Sequence, residues 1–108
     1  MIIETEDENL MILYCKGQVN CKEYKHIPKE AVKGFVKAVN YLKWAKNMNE
    51  VMRIGGLRYK RLKGKLKDYE SVRCNDRWRL LFTSYADKGE TIITNVKLIK
   101  LSDHYDDL

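Results

Sequence analysis

The apolar residues of this chain recur in two different rhythms, and the change between them falls at Gly55 and Gly56. Ahead of the glycines, in HIPKEAVKGFVKAVNYLKWAKNM, residues Ala31, Phe35, Ala38, Val39 and Leu42 return at steps of three and four, with Val32 and Val36 beside them. That is the spacing of one helical face. Lys29, Lys33, Lys37 and Lys43 largely face away, and Pro28 suits a first helical turn, where its missing N–H costs nothing. The spacing predicts an amphipathic helix over residues 28–45 and a short one over residues 49–53, ended by the glycine pair. Behind the glycines the period is two. YKRL, ESVRC, RWRLLF and TIITNVKLIKL read as strands, KGKLKD as a basic loop, and Asn75 with Asp76 and the run ADKGE as turns. At the start of the chain, Ile2 and Ile3 open a first strand. Residues 9–15 then form a short helix or turn, which period alone does not settle. The order predicts one α+β domain over residues 1–108, with N-terminal helices packed on one face of a small, mainly antiparallel sheet.

Charge narrows the classes of partner. The net charge is +6, and the segment from Arg58 to Arg79 holds nine Lys and Arg against three Asp and Glu, so it alone matches the excess of the whole chain. Both ends lean acidic, through Glu4, Glu6, Asp7 and Glu8 at one and Asp103, Asp106 and Asp107 at the other. A basic cluster fits nucleic acid or an acidic protein, and the plain alternative is a solvated lysine-rich face. Cys15, Cys21 and Cys74 are odd in number, form no CxxC and follow no secretory signal, which predicts a reducing, cytoplasmic setting. His26 and His104 are far from any cysteine pair, so the pattern offers no zinc quartet, and no cofactor is expected. No apolar run approaches the roughly 18 residues of a membrane helix.

Alternation in RWRLLF puts Trp78, Leu80 and Phe82 on one face and Arg77, Arg79 and Leu81 on the other. The first face is expected to pack on the helices, and the second to carry arginine outward. In ESVRC, Val72 and Arg73 point oppositely, so an antiparallel partner brings Arg73 near Arg79. Two arginines that close repel unless an anion lies between them, and a phosphate accepts their forked donors in pairs. Ordinary pairing with Asp68, Glu70 or Asp76 accounts for one arginine more easily than for the cluster. RNA brings its own nucleophile, the 2′-OH, beside every phosphate. Its cleavage needs positioning, proton transfer and stabilisation of a developing charge, all within reach of Lys and Arg. The chain shows no paired-carboxylate or Ser/His/Asp pattern and no phosphate-binding glycine loop. Phosphodiester cleavage without a metal suits its residues best.

The run LRYKRLKGKLKDYESVRCNDRWRLLF resembles the central signature of HigB-type toxins of the RelE/ParE superfamily. That signature is an L-K-G turn, a short spacer, S-[IV]-R, a polar turn and W-R-[IL]-x-F. Its positions here are Leu62, Lys63 and Gly64, then Ser71, Val72 and Arg73, Asn75 and Asp76, and finally Trp78, Arg79, Leu80, Leu81 and Phe82. DENLMILYCKG is similar to the family's short first helix, and HIPKEAVKGFVKAVNYLKWAKNMNEV to its long and short helices, so the likeness covers nearly the whole chain. The resemblance implies a type II toxin that cleaves mRNA, commonly on the translating ribosome. It also implies a helix-turn-helix, HigA-like antitoxin as partner. Carried over by position, Lys63, Arg73 and Arg79 are the catalytic cations, and His104 is a candidate acid or base because histidine titrates near neutrality. Lys60 stands where some members have His. Lys60, Arg61, Lys65, Lys67 and Arg77 are expected to contact the nucleic acid, with Tyr105 stacking on a base. The family's last strand often ends in Asp-Tyr-His. Asp103, His104 and Tyr105 are the same residue types in another order. Trp78 is assigned to the core.

Two other functions remain open from the sequence. ParE-like relatives share the scaffold and act on DNA gyrase without cleaving RNA. An inactive relative kept for antitoxin binding is the third reading.

Overall fold

The computed structural model describes residues 1–103. Strand β1 (Ile2–Thr5) leads into helix α1 (Glu8–Lys16). Asp7 caps α1 by accepting a hydrogen bond from the Asn9 amide, and Gly17 closes it at φ +75°, a left-handed conformation that glycine takes without strain. Helix α2 (Lys29–Trp44) is the amphipathic one, and it buries Ala31, Val32, Phe35, Ala38, Val39 and Leu42. Pro28 is its N-cap, with extended backbone, rather than a residue of its first turn. Helix α3 (Met48–Met52) is capped by the Asn47 side chain. It ends on Arg53, before the glycine pair. Gly55 and Gly56 instead begin a 3₁₀ turn, Gly55–Leu57, that finishes on Arg58 at φ +45°.

Four strands follow: β2 (Lys60–Arg61), β3 (Glu70–Arg73), β4 (Arg79–Ala86) and β5 (Ile93–Ser102). The sheet order is β1-β5-β4-β3-β2. β2, β3, β4 and β5 pair antiparallel in sequence, while β1 pairs parallel with β5. Val72, Leu80, Phe82, Val96, Leu98 and Leu101 turn to one face and join Leu10, Leu13 and the buried residues of α2 in the core. Each large side chain buried this way contributes roughly 1.5–3 kcal/mol. The α+β arrangement expected from the change of rhythm is the one observed.

The connection between β3 and β4 is longer than the expected two-residue turn. Arg73 pairs directly with Arg79, so residues 74–78 form the loop. Asn75 Oδ1 accepts from the amides of Arg77 and Trp78, at 3.0 and 2.7 Å. The Trp78 carbonyl accepts from the amides of Cys74 and Asn75, at 2.9 and 3.2 Å. An asparagine that folds back on its own loop needs those extra residues. The loop is also held from above by α2. A Cβ added to Gly34 would stand 1.7 Å from the Cys74 carbonyl oxygen, so the helix reaches the loop only because this residue has no side chain.

Gly34→Ala is therefore expected to lower stability by about 3 kcal/mol, the upper range for forcing atoms into a packed interior. Gly55→Ala, where an added Cβ meets nothing within 4 Å, is expected to leave stability within about 0.5 kcal/mol. Urea denaturation of both variants measures the difference.

Candidate nucleic-acid interface

The face of the sheet turned away from the helices is built in rows, because in-register residues on paired strands point the same way. One row is Arg73, Arg79 and Ser102. The next, two residues along, is Lys60, Ser71, Leu81 and Lys100. Two residues of extended strand separate the rows by about 7 Å. A register shift after Leu81 makes Ile99 an extra residue in β5, and this keeps Lys100 on the arginine side. The hairpin loop that carries Lys63, Lys65 and Lys67 joins β2 to β3 at the Glu70 end, one strand length from the arginines. All three lysines are exposed, with Lys63 preceding a 3₁₀ turn over Gly64–Leu66.

Arg79 is the centre of this face, and it is not exposed as alternation alone suggested. It is only 7% accessible. The reason is its place on an inner strand, with β3 on one side and β5 on the other. Burial, then the positive charges of Arg73 and Arg58, push its pKa down from the ordinary arginine value. An arginine stays protonated at neutral pH even so. The physical content of the shift is first the cost of burying the guanidinium and then the repulsion from its two cationic neighbours.

Arg73 is bonded to Asp76 three residues on, and Asp76 is almost fully exposed. An exposed pair of this kind holds with roughly 0–1 kcal/mol, so it does not lock Arg73 away from a stronger partner. Glu70, the other carboxylate considered for Arg73, lies on the opposite face. It is buried, accepting from Tyr59 Oη at 2.5 Å and Ser84 Oγ at 2.7 Å. Those hydroxyls satisfy it within the helix side of the sheet.

The structure brings Arg73, Arg79 and Lys60 to one face and puts the Lys63, Lys65 and Lys67 loop at its far end. It separates Arg61, which pairs with Glu70 and so points to the helix side of the edge strand. Arg77 sits exposed in the loop of residues 74–78. His104 and Tyr105 lie outside the described residues. Trp78 is half-buried, packed against the core yet open on one side. Two cations that the sequence reading did not place at this face are brought to it. Arg58 acts on Arg79 from the left-handed position after the glycines, and Lys100 shares the row of Lys60. Strict alternation along TIITNVKLIKL would put Lys100 on the side of Val96 and Leu98, so the extra residue Ile99 hid it. Nothing local signalled Arg58.

The acidic N-terminal run does not cover the arginines. Glu6 bonds Lys97 at 2.8 Å, and Glu4 accepts from Tyr85 Oη. Lys97 pairs with Thr83, four residues along β4 from Arg79, or about 13 Å. Ser71 Oγ, between the two ends of the face, is fully buried without a hydrogen-bond partner among the described residues. No group of three or more His, Cys, Asp and Glu among those residues could hold a metal ion, and no helix there is long and apolar enough to cross a membrane.

Cys74, in the loop beside Arg79, packs against the core and feels the arginine's charge. Its thiol is pushed up to about 12 by burial, against the opposing pull of Arg79. A raised thiol pKa keeps the sulfur protonated and neutral until strongly alkaline pH, so Cys74 gives Arg79 no counter-charge. With Ellman's reagent at pH 8, about one part in ten thousand of Cys74 is thiolate. The exposed Cys15 is expected to react at once, and Cys74 only as the protein unfolds.

A family model described as the RelE-like toxin of the type II toxin–antitoxin system HigB matches residues 6–99. Among solved structures, the fold is similar to a YoeB/ParE toxin from Agrobacterium tumefaciens, at 16% identity and a TM-score of 0.52, over 97% of this chain and 100% of that one. It is also similar to the YoeB dimer from Staphylococcus aureus, at 21% identity and a TM-score of 0.50, over 97% and 98%. At such identities the likeness is one of fold. No curated protein matches the sequence.

Proposed function

This chain belongs to the HigB-like family of RelE-like toxins of type II toxin–antitoxin systems, and from that premise we propose that it is an endoribonuclease that cleaves mRNA on the translating ribosome. The observation that carries the reading is the cross-strand pair of Arg73 and Arg79, with Arg58 adding its charge, on the face of the sheet opposite the α2 core. Two guanidiniums in register on paired strands present forked donors that one phosphate can accept from together.

The chemistry follows from what RNA supplies. The 2′-oxygen forms a bond to the adjacent phosphorus as its proton leaves. The bond from phosphorus to the 5′-oxygen breaks, and that oxygen takes up a proton. The products are a 2′,3′-cyclic phosphate and a 5′-hydroxyl. Arg79 and Arg73 hold the phosphate and stabilise the extra negative charge as the phosphorus becomes five-coordinate. Arg79 enters the reaction already ordered by burial, so little is lost in aligning it. Lys60, Lys63, Lys65 and Lys67 hold the RNA backbone along the face, and Lys100 joins them. Arg77 binds at the loop. His104 is assigned proton transfer and Tyr105 base stacking, on sequence position.

A type II toxin has an antitoxin partner. For this chain we assign a helix-turn-helix protein of the HigA kind, and a cytoplasmic site of action.

Expression of the wild type with mapping of mRNA 5′ ends tests the reading. New ends are expected, and Arg79→Ala is expected to reduce them about a hundredfold, the usual cost of one charge-stabilising group. Arg79→Lys keeps the charge but loses the forked geometry and is expected to fall between. Growth arrest with intact mRNA and broken DNA would overturn the nuclease in favour of a gyrase-directed toxin.

A further inference from the structure

A cavity of about 550 Å³ opens beside the arginine row, where the loop of residues 74–78 meets the first turn of α2. Trp78, Arg77 and Arg73 line it from the sheet side, His26 and Glu30 from the helix side, and Asp103 from the end of β5. Its size is that of a small-ligand site.

The two sides are fixed to each other. α2 rests on the Cys74 carbonyl through Gly34, and the loop is closed on itself by Asn75 and by the Trp78 carbonyl. Trp78 is thus presented by a preformed loop, and Glu30 by a helix clamped against that loop. The backbone on both sides of the cavity is thus fixed before a ligand arrives, which lowers the cost of binding.

The chemistry of the lining selects the ligand. Glu30, Asp76 and Asp103 are carboxylates, and Asp76 is bonded to Arg73, so a bare phosphate is disfavoured there. An indole, an imidazole and polar groups of both donor and acceptor type suit a planar, neutral molecule with hydrogen-bonding edges. Arg73 belongs both to this cavity and to the phosphate row, so the ligand is attached to a phosphate. We propose that the cavity is a nucleobase subsite, in which the base next to the phosphate held by Arg73 stacks on Trp78 and offers an exocyclic amino group to Glu30. The inference rests on the ribonuclease reading and adds to it a source of sequence preference. Adenine, cytosine and guanine carry an exocyclic amine that a carboxylate accepts from, and uracil carries none. Stacking on Trp78 favours any base, so it contributes affinity, and Glu30 contributes the choice.

The test is the base composition around mRNA cuts in cells expressing wild type, Glu30→Ala, Trp78→Leu and Trp78→Phe. Glu30 is exposed in the first helical turn, and alanine is well tolerated there, so that variant folds. The wild type is expected to disfavour uracil at one position flanking its cuts. Glu30→Ala is expected to erase that bias, a change of about tenfold or more, the loss of one hydrogen bond to a charged acceptor. This readout is a ratio between bases, which a purely structural effect of Glu30 on the helix would not move. Trp78→Leu is expected to reduce cutting at all sites, and Trp78→Phe, which keeps a stacking ring, to restore most of it. A wild type without base preference at the cut overturns the subsite, as does a Glu30→Ala protein that cuts with the wild-type preference. In either case the nuclease reading stands. A wild type that makes no cuts overturns the nuclease reading, and the subsite with it.

Discussion

The burial of Val72, Leu80 and Phe82 under α2 decides where every arginine of the hairpin goes. All three are inaccessible. Side chains alternate along a strand, so fixing these residues inward fixes Arg73 and Arg79 on the opposite face, and in register with each other. A slip of one residue would send the guanidiniums into the core and the apolar residues into water. The free energy of core burial is thus what holds two like charges side by side. Gly34 then sets the depth at which α2 sits. Its missing side chain lets the helix touch the Cys74 carbonyl, and this brings the start of α2 up to the edge of the charged face.

Much of this was legible in the sequence because it depends on local periodicity. The helical stripe ending at Leu42 and the alternation around Val72 and Leu80 are patterns that burial itself imposes. The short helix over Glu8–Lys16 was half legible, since only Leu10 and Leu13 are fully buried, with Tyr14 packed beside them, and the rest of its turns carry no decisive pattern. The family resemblance, read on Lys63, Arg73 and Arg79, agrees with the match over residues 6–99.

What escaped depends on contacts between distant segments. Pairing of β1 with β5 joins residues more than ninety apart, and no local signal encodes it. Arg61 and Lys60 look equivalent in a basic run, yet the pleat of a two-residue edge strand sends them to opposite faces. Arg79 was read as outward, which is true of its direction and not of its exposure, because inner strands crowd their residues from both sides. Arg58 needs a left-handed backbone to reach the site, and that conformation follows from the 3₁₀ turn before it. Trp78 was given to the core. It does pack there, and its other side lines a cavity that only the longer loop creates.

The strand order has a consequence for how the molecule comes into being. β5 is the last described strand along the chain, yet it lies inside the sheet, between β4 and β1. Without it β1 has no partner, β4 has an open edge, and the arginine row lacks the wall formed by Ser102. A pairing that spans nearly the whole chain forms late, because its loop-closure cost must be met before the contacts form. A nascent chain that stops short of residue 102 therefore carries the basic loop but no assembled face. The charged face is thus completed only when β5, the last described strand, has taken its place between β4 and β1.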